Sequence, residues 1–490
     1  MRSPRARVSW AGRCRTAVQI LGVVALFAPL ALASGTAGSA VAADSPRLET
    51  AVSDPNAFSA PNASAAFADA HAAGATAVRL ILNWDTVAPA VRPPSFQADD
   101  PSAAGYSWEH FDEQVRLAVS RGLQPLVDVY NAPKWARERP SRGGAYKPDL
   151  VKLARFSKAA ARRYSGAYQD LPRVRYWQLW NEPNLALNLR PQIVGKKIYS
   201  AMWYRRMLKA FANAVHSVHP SNSVIAGGTS PFTSRAGQRS SWGPGPLLFL
   251  REVLCLSKQL RPACSDRAHF DIWAHHPYTS GGPNHHANIA DDVSLADLPR
   301  MRAVLNAGVR AGHVVSKQKL RFWVTEFSWD TSPPDPAAMP IALQARWVSE
   351  ALYVMSRAGV SLVTWWLVKD EPLSTPYQSG LYFRSGKRKP TFQAFRFPFV
   401  AFARAGVIEV WGRAPPETAR VVIIEQRHGR LWRRLGSLRA NGNGIFQARY
   451  RSRGSGDLRA RLPDSANEAS RPFSLREPPD RFFRPFGQAP

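Results

Sequence analysis

The sequence predicts an α/β protein, a (β/α)8 barrel followed by a small all-β sandwich. Short apolar runs of strand length alternate with amphipathic helical stretches through most of the 490 residues, a pattern typical of parallel α/β architecture. After about residue 405 the pattern changes to short alternating runs separated by turn residues, which indicates antiparallel sheets. One barrel with one smaller module suits a chain of this length.

Eight runs of the first part are strand candidates. They are Leu48–Val52, Thr76–Leu82, Gln124–Tyr130, Val174–Trp180, Val224–Gly227, Phe270–His275, Leu320–Glu326 and Ser361–Leu367. Eight strands with intervening helices over roughly 360 residues are the pattern of a (β/α)8 barrel with enlarged loops. A doubly wound open sheet is the alternative, but no Gly-x-Gly-x-x-Gly motif follows any of these strands.

Helical stretches fill most of the gaps between the strands. In one of them Ser107 is the expected N-cap and Gly122 the expected stop, with Phe111 and Val115 on the buried face. Four more stretches have the same pattern: Asp149–Gly166, Tyr199–His216, Leu295–Gly312 and Ile341–Gly359.

The C-terminal module is expected to be a structural β-sandwich packed on the barrel, because it offers few exposed aromatic residues. Its strand candidates are Val407–Trp411, Val421–Glu425, Arg430–Arg434, Gly444–Tyr450 and Leu458–Leu462. We therefore place the barrel at residues 43–404, the sandwich at 405–475 and a Pro-, Arg- and Phe-rich tail at 476–490.

The first 42 residues have the features of a secretory signal peptide. Five arginines precede an apolar core at Ile20–Ala33, and Ala40-Val41-Ala42 offers a small-x-small cleavage site. The apolar core is short for a membrane-spanning helix and contains Pro29, although an uncleaved anchor stays the alternative. No later segment is apolar enough to span a bilayer. The expected location is therefore outside the cell.

The cysteine count indicates one disulfide. Cys14 lies in the signal segment, which leaves Cys255 and Cys264 as an even pair in an exported chain. Two free thiols are the alternative. No Cys-x-x-Cys spacing occurs, so no metal site is expected.

The charge is strongly positive, +30 for the whole chain and about +25 without the five signal arginines. One interpretation is attraction to an anionic polymer, and another is nucleic acid binding. The third, which the dispersed arginines favour, is a basic solvated surface without a dedicated partner. No nucleic-acid-binding motif supports the second interpretation. Oligomeric state stays open.

Two glutamates follow aromatic-rich strand candidates. Val174–Trp180 leads into Asn181-Glu182-Pro183-Asn184, and a later run leads into Glu326. A barrel presents its functional groups at the C-terminal ends of its strands. Two facing carboxylates are what hydrolysis of a glycosidic bond requires, one to donate a proton and one to attack or to activate water.

The surroundings of the two glutamates predict different protonation states. Glu182 is flanked by Trp177, Trp180 and Pro183, and an apolar setting favours the protonated carboxyl group. Arg79 lies in the second strand candidate, and a cation near Glu326 would keep that carboxylate ionised, as a nucleophile must be. Asp128 is expected to point into the barrel or to pair with a cation, with no catalytic role.

The motifs Trp180-Asn181-Glu182-Pro183-Asn184 and Thr325-Glu326-Phe327 resemble those of clan A glycoside hydrolases, most closely families 39 and 5. The resemblance covers roughly residues 46–400. It implies a retaining mechanism with Glu182 as acid/base and Glu326 as nucleophile. Its further implications concern substrate binding: Asn181 would bind the sugar 2-hydroxyl, Arg79 and Tyr278 would hold the nucleophile, and Trp365 or Trp366 would form the floor beneath the sugar.

The sequence departs from the family patterns at three positions. Gln178 stands where family 39 more often has Glu, Arg175 where family 5 has an aliphatic residue, and Tyr130-Asn131 where many family 5 enzymes have a histidine. These departures leave open which family of the clan the chain belongs to, and hence which sugar it recognises.

The predicted function is a secreted retaining glycosidase that acts on a polysaccharide or oligosaccharide without a cofactor. His276, after the sixth strand, is a further candidate for contact with sugar hydroxyls. A non-catalytic carbohydrate-binding protein on the same scaffold is the main alternative, and an adhesion protein that works through its β-rich module is another.

Overall fold

Eight parallel strands close into a barrel in the computed structural model, which describes residues 47–477 except 142–143, 234–242, 280, 376, 417, 419–420, 452–453 and 464–467. Each strand pairs with its neighbours along the chain, and the first pairs with the eighth. The predicted (β/α)8 barrel is confirmed. In order, the strands are Glu49–Ser53, Ala77–Asn83, Gln124–Tyr130, Tyr176–Leu179, Ser223–Thr229, Ile272–His275, Arg321–Phe327 and Leu362–Trp366.

Helices pack around the outside of the strands. The longer ones are Ala63–Ala72, Glu109–Ser120, Leu150–Arg163, Tyr199–Val218, Pro246–Val253, Leu298–Arg310, Ile341–Arg357 and Pro390–Arg396. Short helical turns cover Pro55–Phe58, Trp84–Val87, Lys134–Ala136 and Leu295–Asp297. Asp149 caps its helix by accepting from the backbone N–H of Lys152. The prediction of Ser107 as an N-cap is wrong, because that helix begins at Glu109 and the capping position belongs to Trp108.

Several two-residue strands extend the loops of the barrel. They form the pairs Ala145–Tyr146 with Leu189–Arg190, Ile193–Val194 with Lys197–Ile198, Ala268–His269 with Val314–Val315, and Thr331–Ser332 with Met339–Pro340.

Alternation along the strands creates two apolar layers. One set of residues fills the lumen of the barrel: Ala51, Ala77, Leu126, Ile225, Ile272, Ala274, Trp323 and Leu362. The intervening residues, such as Val78, Val127, Phe322 and Val363, join the much larger layer between strands and helices. Because successive side chains of a strand point to opposite faces, the lumen layer identifies which residues of each strand point into the barrel.

Two antiparallel sheets follow the barrel. Phe399–Arg404, Val407–Arg413 and Ile445–Arg451 form the first. Leu431–Arg439, Val421–His428, Asp457–Arg461 and Phe473–Ser474 form the second, in that spatial order. The strand Phe399–Arg404 was not predicted, and it pairs with Val407–Arg413, so the first sheet starts ahead of the predicted boundary at 405.

Cys255 and Cys264 form a disulfide with Cα atoms 5.3 Å apart, which confirms the predicted pairing. The predicted signal peptide and nearly all of the predicted tail lie outside the described residues. Among the helices of the described part of the chain, none is both long and apolar enough to cross a membrane.

Candidate active site

Different backbone features place the two glutamates at the same end of the barrel. Glu182 follows the fourth strand, whose last residue is Leu179. Trp180 and Glu182 both have positive φ angles, 69° and 41°, which turn the chain sharply after the strand. The N–H of Glu182 donates to the carbonyl of Gly228 at the end of the fifth strand (2.9 Å), and this bond holds the turn against the barrel.

Glu326 faces the site because its strand is irregular. Trp323 lies in the lumen layer, whereas Val324 and Phe327 lie in the outer layer. Strict alternation would make Glu326 point outward with Val324. The pairing with the eighth strand shifts register between Val324 and Phe327, and such a bulge redirects the side chains beside it. Glu326 therefore joins Thr325 on the inner side.

Arg79 connects Glu326 to the interior of the barrel. Its Nη1 lies 3.0 Å from Glu326 Oε2, and its Nη2 lies 2.6 Å from Asp128 Oδ2 and 2.8 Å from Asn181 Oδ1. Arg79 and Asp128 are fully buried. One guanidinium thus binds two carboxylates and the amide of Asn181. Since Asn181 accepts this bond through its oxygen, its NH2 group is left as a donor.

Tyr278 completes the support of Glu326. Its hydroxyl donates to Oε1 at 3.0 Å, so Tyr278 and Arg79 each hold one oxygen of the same carboxylate. The side chain of Glu326 is 15% exposed, which leaves it accessible to a ligand.

His276 lies between the two glutamates. Its Nδ1 is 3.2 Å from Glu182 Oε1, and its Nε2 is 3.2 Å from Thr325 Oγ1. Burial lowers the pKa of this imidazole to about 3, so the ring is neutral near pH 7. The side chain has no solvent exposure, and a sugar hydroxyl could reach a ring nitrogen only by displacing a protein partner. His276 is therefore placed to orient Glu182, rather than to line the cleft as the sequence suggested.

Glu182 has the electrostatic character of a proton donor. Burial raises its pKa to about 7, although the charge of Arg79 acts in the opposite direction. The Nδ1 atom of His276 is 3.2 Å from Glu182 Oε1 and 3.9 Å from Glu326 Oε2. The two carboxylate oxygens therefore cannot be more than about 7 Å apart, a limit that admits the ~5–5.5 Å spacing of retaining enzymes and excludes most of the inverting range.

The structure distinguishes between the two tryptophans of the eighth strand. Trp365 is 1% exposed, donates to the carbonyl of Ser379 and packs on Phe327 and Phe395 in the outer layer. The prediction that it contacts a sugar is wrong, because its side chain points away from the lumen. Trp366 has the opposite orientation, is half-buried, and contacts the ring of Tyr377 edge-on, with ring centroids 6.0 Å apart.

Asp128 binds Arg79, which confirms the expectation that it points into the barrel or pairs with a cation. Other residues of the site were not assigned a role from the sequence: Gln178 donates to the carbonyl of Trp180 at 3.1 Å. Gly228 has a φ of +55°, and a Cβ there would lie 2.9 Å from Gln178 Nε2 and 3.3 Å from His276 Nε2. The consecutive glycines 227 and 228 after an apolar run were the one sequence signal of this close approach.

The fold and this pair of carboxylates define the chain as a glycosidase of the barrel type. The sequence model of the Cellulase family, glycosyl hydrolase family 5, matches residues 38–365. The match spans more than half of the chain, which therefore belongs to that family and to the clan A glycoside hydrolases. No curated protein matches the chain at a significant level.

Three of the solved structures to which the chain is similar are glycoside hydrolases. The GH39 enzyme from Xanthomonas axonopodis pv. citri is 16% identical with a TM-score of 0.50, over 84% of this chain and 93% of that one. A family 39 glycoside hydrolase from Bacteroides cellulosilyticus WH2 is 18% identical with a TM-score of 0.49, over 83% and 81%. A GH5-4 broad-specificity endoglucanase from Clostridium acetobutylicum is 14% identical with a TM-score of 0.42, over 71% and 95%. The TM-score of 0.50 shows that the first of these three structures shares its fold with this chain.

Proposed function

We propose that the protein is a secreted retaining glycosidase that cleaves O-glycosidic bonds of a polysaccharide or oligosaccharide by double displacement. The observation that carries the proposal is the unequal support of two facing carboxylates. Glu326 accepts from Arg79 and Tyr278, whereas burial raises the pKa of Glu182 to about 7. Opposed environments of this kind separate a nucleophile from a proton donor.

In the first step an oxygen of Glu326 attacks the anomeric carbon while Glu182 gives its proton to the departing oxygen. The glycosidic C–O bond breaks and a glycosyl ester on Glu326 forms. In the second step Glu182, now ionised, takes a proton from water, and the resulting hydroxyl attacks the anomeric carbon and releases Glu326. Asn181, with its NH2 group left to donate, is suited to bind the sugar 2-hydroxyl. The scheme uses no cofactor.

A screen against aryl β-glycosides and plant and bacterial polysaccharides tests the proposal. We expect the mature protein to cleave at least one substrate, E326Q to lose at least ~10³-fold in kcat, and the product to keep the configuration of the substrate by NMR. The matched control is E138Q, because Glu138 is a half-exposed glutamate whose ion-pair partner is Lys147 and not a residue of the site.

Azide distinguishes the two roles. With E182A and a substrate whose leaving group needs no acid, azide should attack the glycosyl ester and give a glycosyl azide of retained configuration. With E326A it should attack the substrate itself and give the inverted azide. A product of inverted configuration from the unaltered enzyme would contradict the retaining mechanism. Binding of a glycan without cleavage would favour the non-catalytic carbohydrate-binding alternative.

A further inference from the structure

The outward face of the second C-terminal sheet is unusually rich in arginine. In the strand Val421–His428, Val422 and Ile424 are fully buried, so alternation places Glu425 and Arg427 on the opposite, solvent side. The register then identifies their neighbours on that side. Together they form what we call the arginine face: Arg427, Trp432, Arg434, Arg439, Arg459 and Arg461, with the carboxylates Glu425 and Asp457.

Side-chain contacts link four of these residues, Glu425, Trp432, Arg459 and Arg461. Glu425 accepts from Arg459 Nε at 2.7 Å and from Arg461 Nε at 3.1 Å. The strands of Trp432 and Arg459 flank the strand of Glu425 on opposite sides. The guanidinium of Arg459 nevertheless lies 4.3 Å from the ring centroid of Trp432. The three strands therefore present a continuous layer of guanidinium groups around one half-buried tryptophan.

The charges of the arginine face do not balance within the protein. Glu425 is 9% exposed and is held by two arginines. Asp457 lies 3.3 Å from Arg427. Arg434 and Arg439 are exposed, and no carboxylate partner for either occurs in the described part of the chain. Five arginines against two carboxylates leave three uncompensated positive charges on one sheet face.

We propose that the arginine face binds a carboxylate-bearing polysaccharide. A guanidinium group binds a carboxylate through two parallel hydrogen bonds, and the ring of Trp432 offers an apolar surface against which a sugar ring can pack. Strands lie about 4.8 Å apart, so Arg434 and Arg459, on either side of Glu425, start from backbone positions about 10 Å apart. The face thus presents positive charges at intervals, and a polymer of acidic sugars presents negative charges at intervals. The choice of a glycan over another polyanion rests on the proposed function.

The test measures binding of polygalacturonate in the full-length E326Q background, so that turnover does not interfere. R434E/R439E reverses the two arginines that lack a carboxylate partner. The matched control R116E/R155E makes the same change of net charge at two exposed helix positions of the barrel. We expect R434E/R439E to weaken binding at least tenfold, which corresponds to about 1.4 kcal/mol, and the control to have little effect. Binding should also weaken as salt increases, and neutral dextran should not bind.

Three results would overturn the proposal. Equal loss in both double variants would mean that only the overall charge matters. An unchanged affinity of R434E/R439E, with the fold verified by its melting temperature, would place binding elsewhere. Tighter binding of duplex DNA or of anionic lipid vesicles than of polygalacturonate would assign the face to another class of partner. Since binding is measured without turnover, failure of this test would not contradict the proposed hydrolase, and an inactive enzyme would not change the binding that this test measures.

Discussion

Arg79 and Asp128 form an ion pair of 2.6 Å in which neither side chain reaches solvent. The same guanidinium binds Glu326 at 3.0 Å. Asp128 therefore lies behind the proposed nucleophile, one residue removed from it, and fixes the position of the arginine that supports it. Burial raises the pKa of Asp128, while the charge of Arg79 lowers it, so the pair depends on the arginine to keep the aspartate ionised.

The D128N variant should lose both stability and activity. Removal of one partner from a buried ion pair costs about 3–5 kcal/mol, and a displaced Arg79 would no longer hold Glu326. Urea unfolding and kcat on the best substrate measure the two effects. D112N is the matched control, because Asp112 pairs with buried Arg163 at 2.8 Å away from the site. It should destabilise the protein without lowering kcat of the folded fraction, and equal kinetic losses in both variants would refute the positioning role.

Activity should fall as pH rises through the pKa of Glu182, which burial raises to about 7. A general acid works only while protonated, so kcat/KM should have an alkaline limb near pH 7. With an activated aryl leaving group, which needs little protonation, the limb should weaken. A pH profile that is flat between pH 6 and 9 for a substrate with a poor leaving group would contradict the assignment of Glu182.

The same shift predicts a pH-dependent effect on stability. The pKa of Glu182 is higher in the folded protein than the ordinary value of 4.5, so the folded state binds the proton more tightly. Proton binding by Glu182 stabilises the folded state fully at pH values below the ordinary pKa, and this stabilisation is lost as pH rises through about 7. E182Q should therefore melt at a higher temperature than the unaltered protein at pH 8.5, and the difference should shrink at pH 5. A difference independent of pH would contradict this linkage.

Tyr278→Phe should lower kcat by about 10–100-fold, since it removes one hydrogen-bond donor from the carboxylate of the proposed nucleophile. The hydroxyl lies 3.0 Å from Glu326 Oε1, and the ring itself would stay in place. Y130F is the control, because Tyr130 donates to Asn188 at 2.7 Å and has no hydrogen bond to either glutamate. Steady-state kinetics of both variants separate the effects, and equal losses would argue against a special role for Tyr278.

The two tryptophans of the eighth strand should respond oppositely to replacement by alanine. W365A should destabilise the fold by about 3–5 kcal/mol, because it leaves a cavity in the outer layer. W366A should raise KM for oligosaccharides with a smaller loss of stability, because its half-buried ring faces the site. Thermal unfolding and Michaelis kinetics measure the two outcomes. A larger change of KM in W365A would reverse our assignment.

The positions of all eight barrel strands could be predicted from the sequence, each within a few residues of the observed bounds. Hydrophobic periodicity and turn residues act locally, and these signals lie in the chain itself. The strand Phe399–Arg404 was not predicted, because only Phe397 and Pro398 separate it from the helix Pro390–Arg396 and the predicted barrel extended to residue 404.

Local sequence patterns were sufficient to predict the barrel, the pair Glu182 and Glu326 at strand ends, and a disulfide between Cys255 and Cys264. Which side chains meet depends on the pairing of the strands in the folded barrel. The bulge between Val324 and Phe327 turns Glu326 inward, and alternation in the eighth strand gives the site Trp366 rather than Trp365. Both results depend on hydrogen-bond register between strands far apart in the chain, and a shift of one residue there reverses the direction of every side chain that follows.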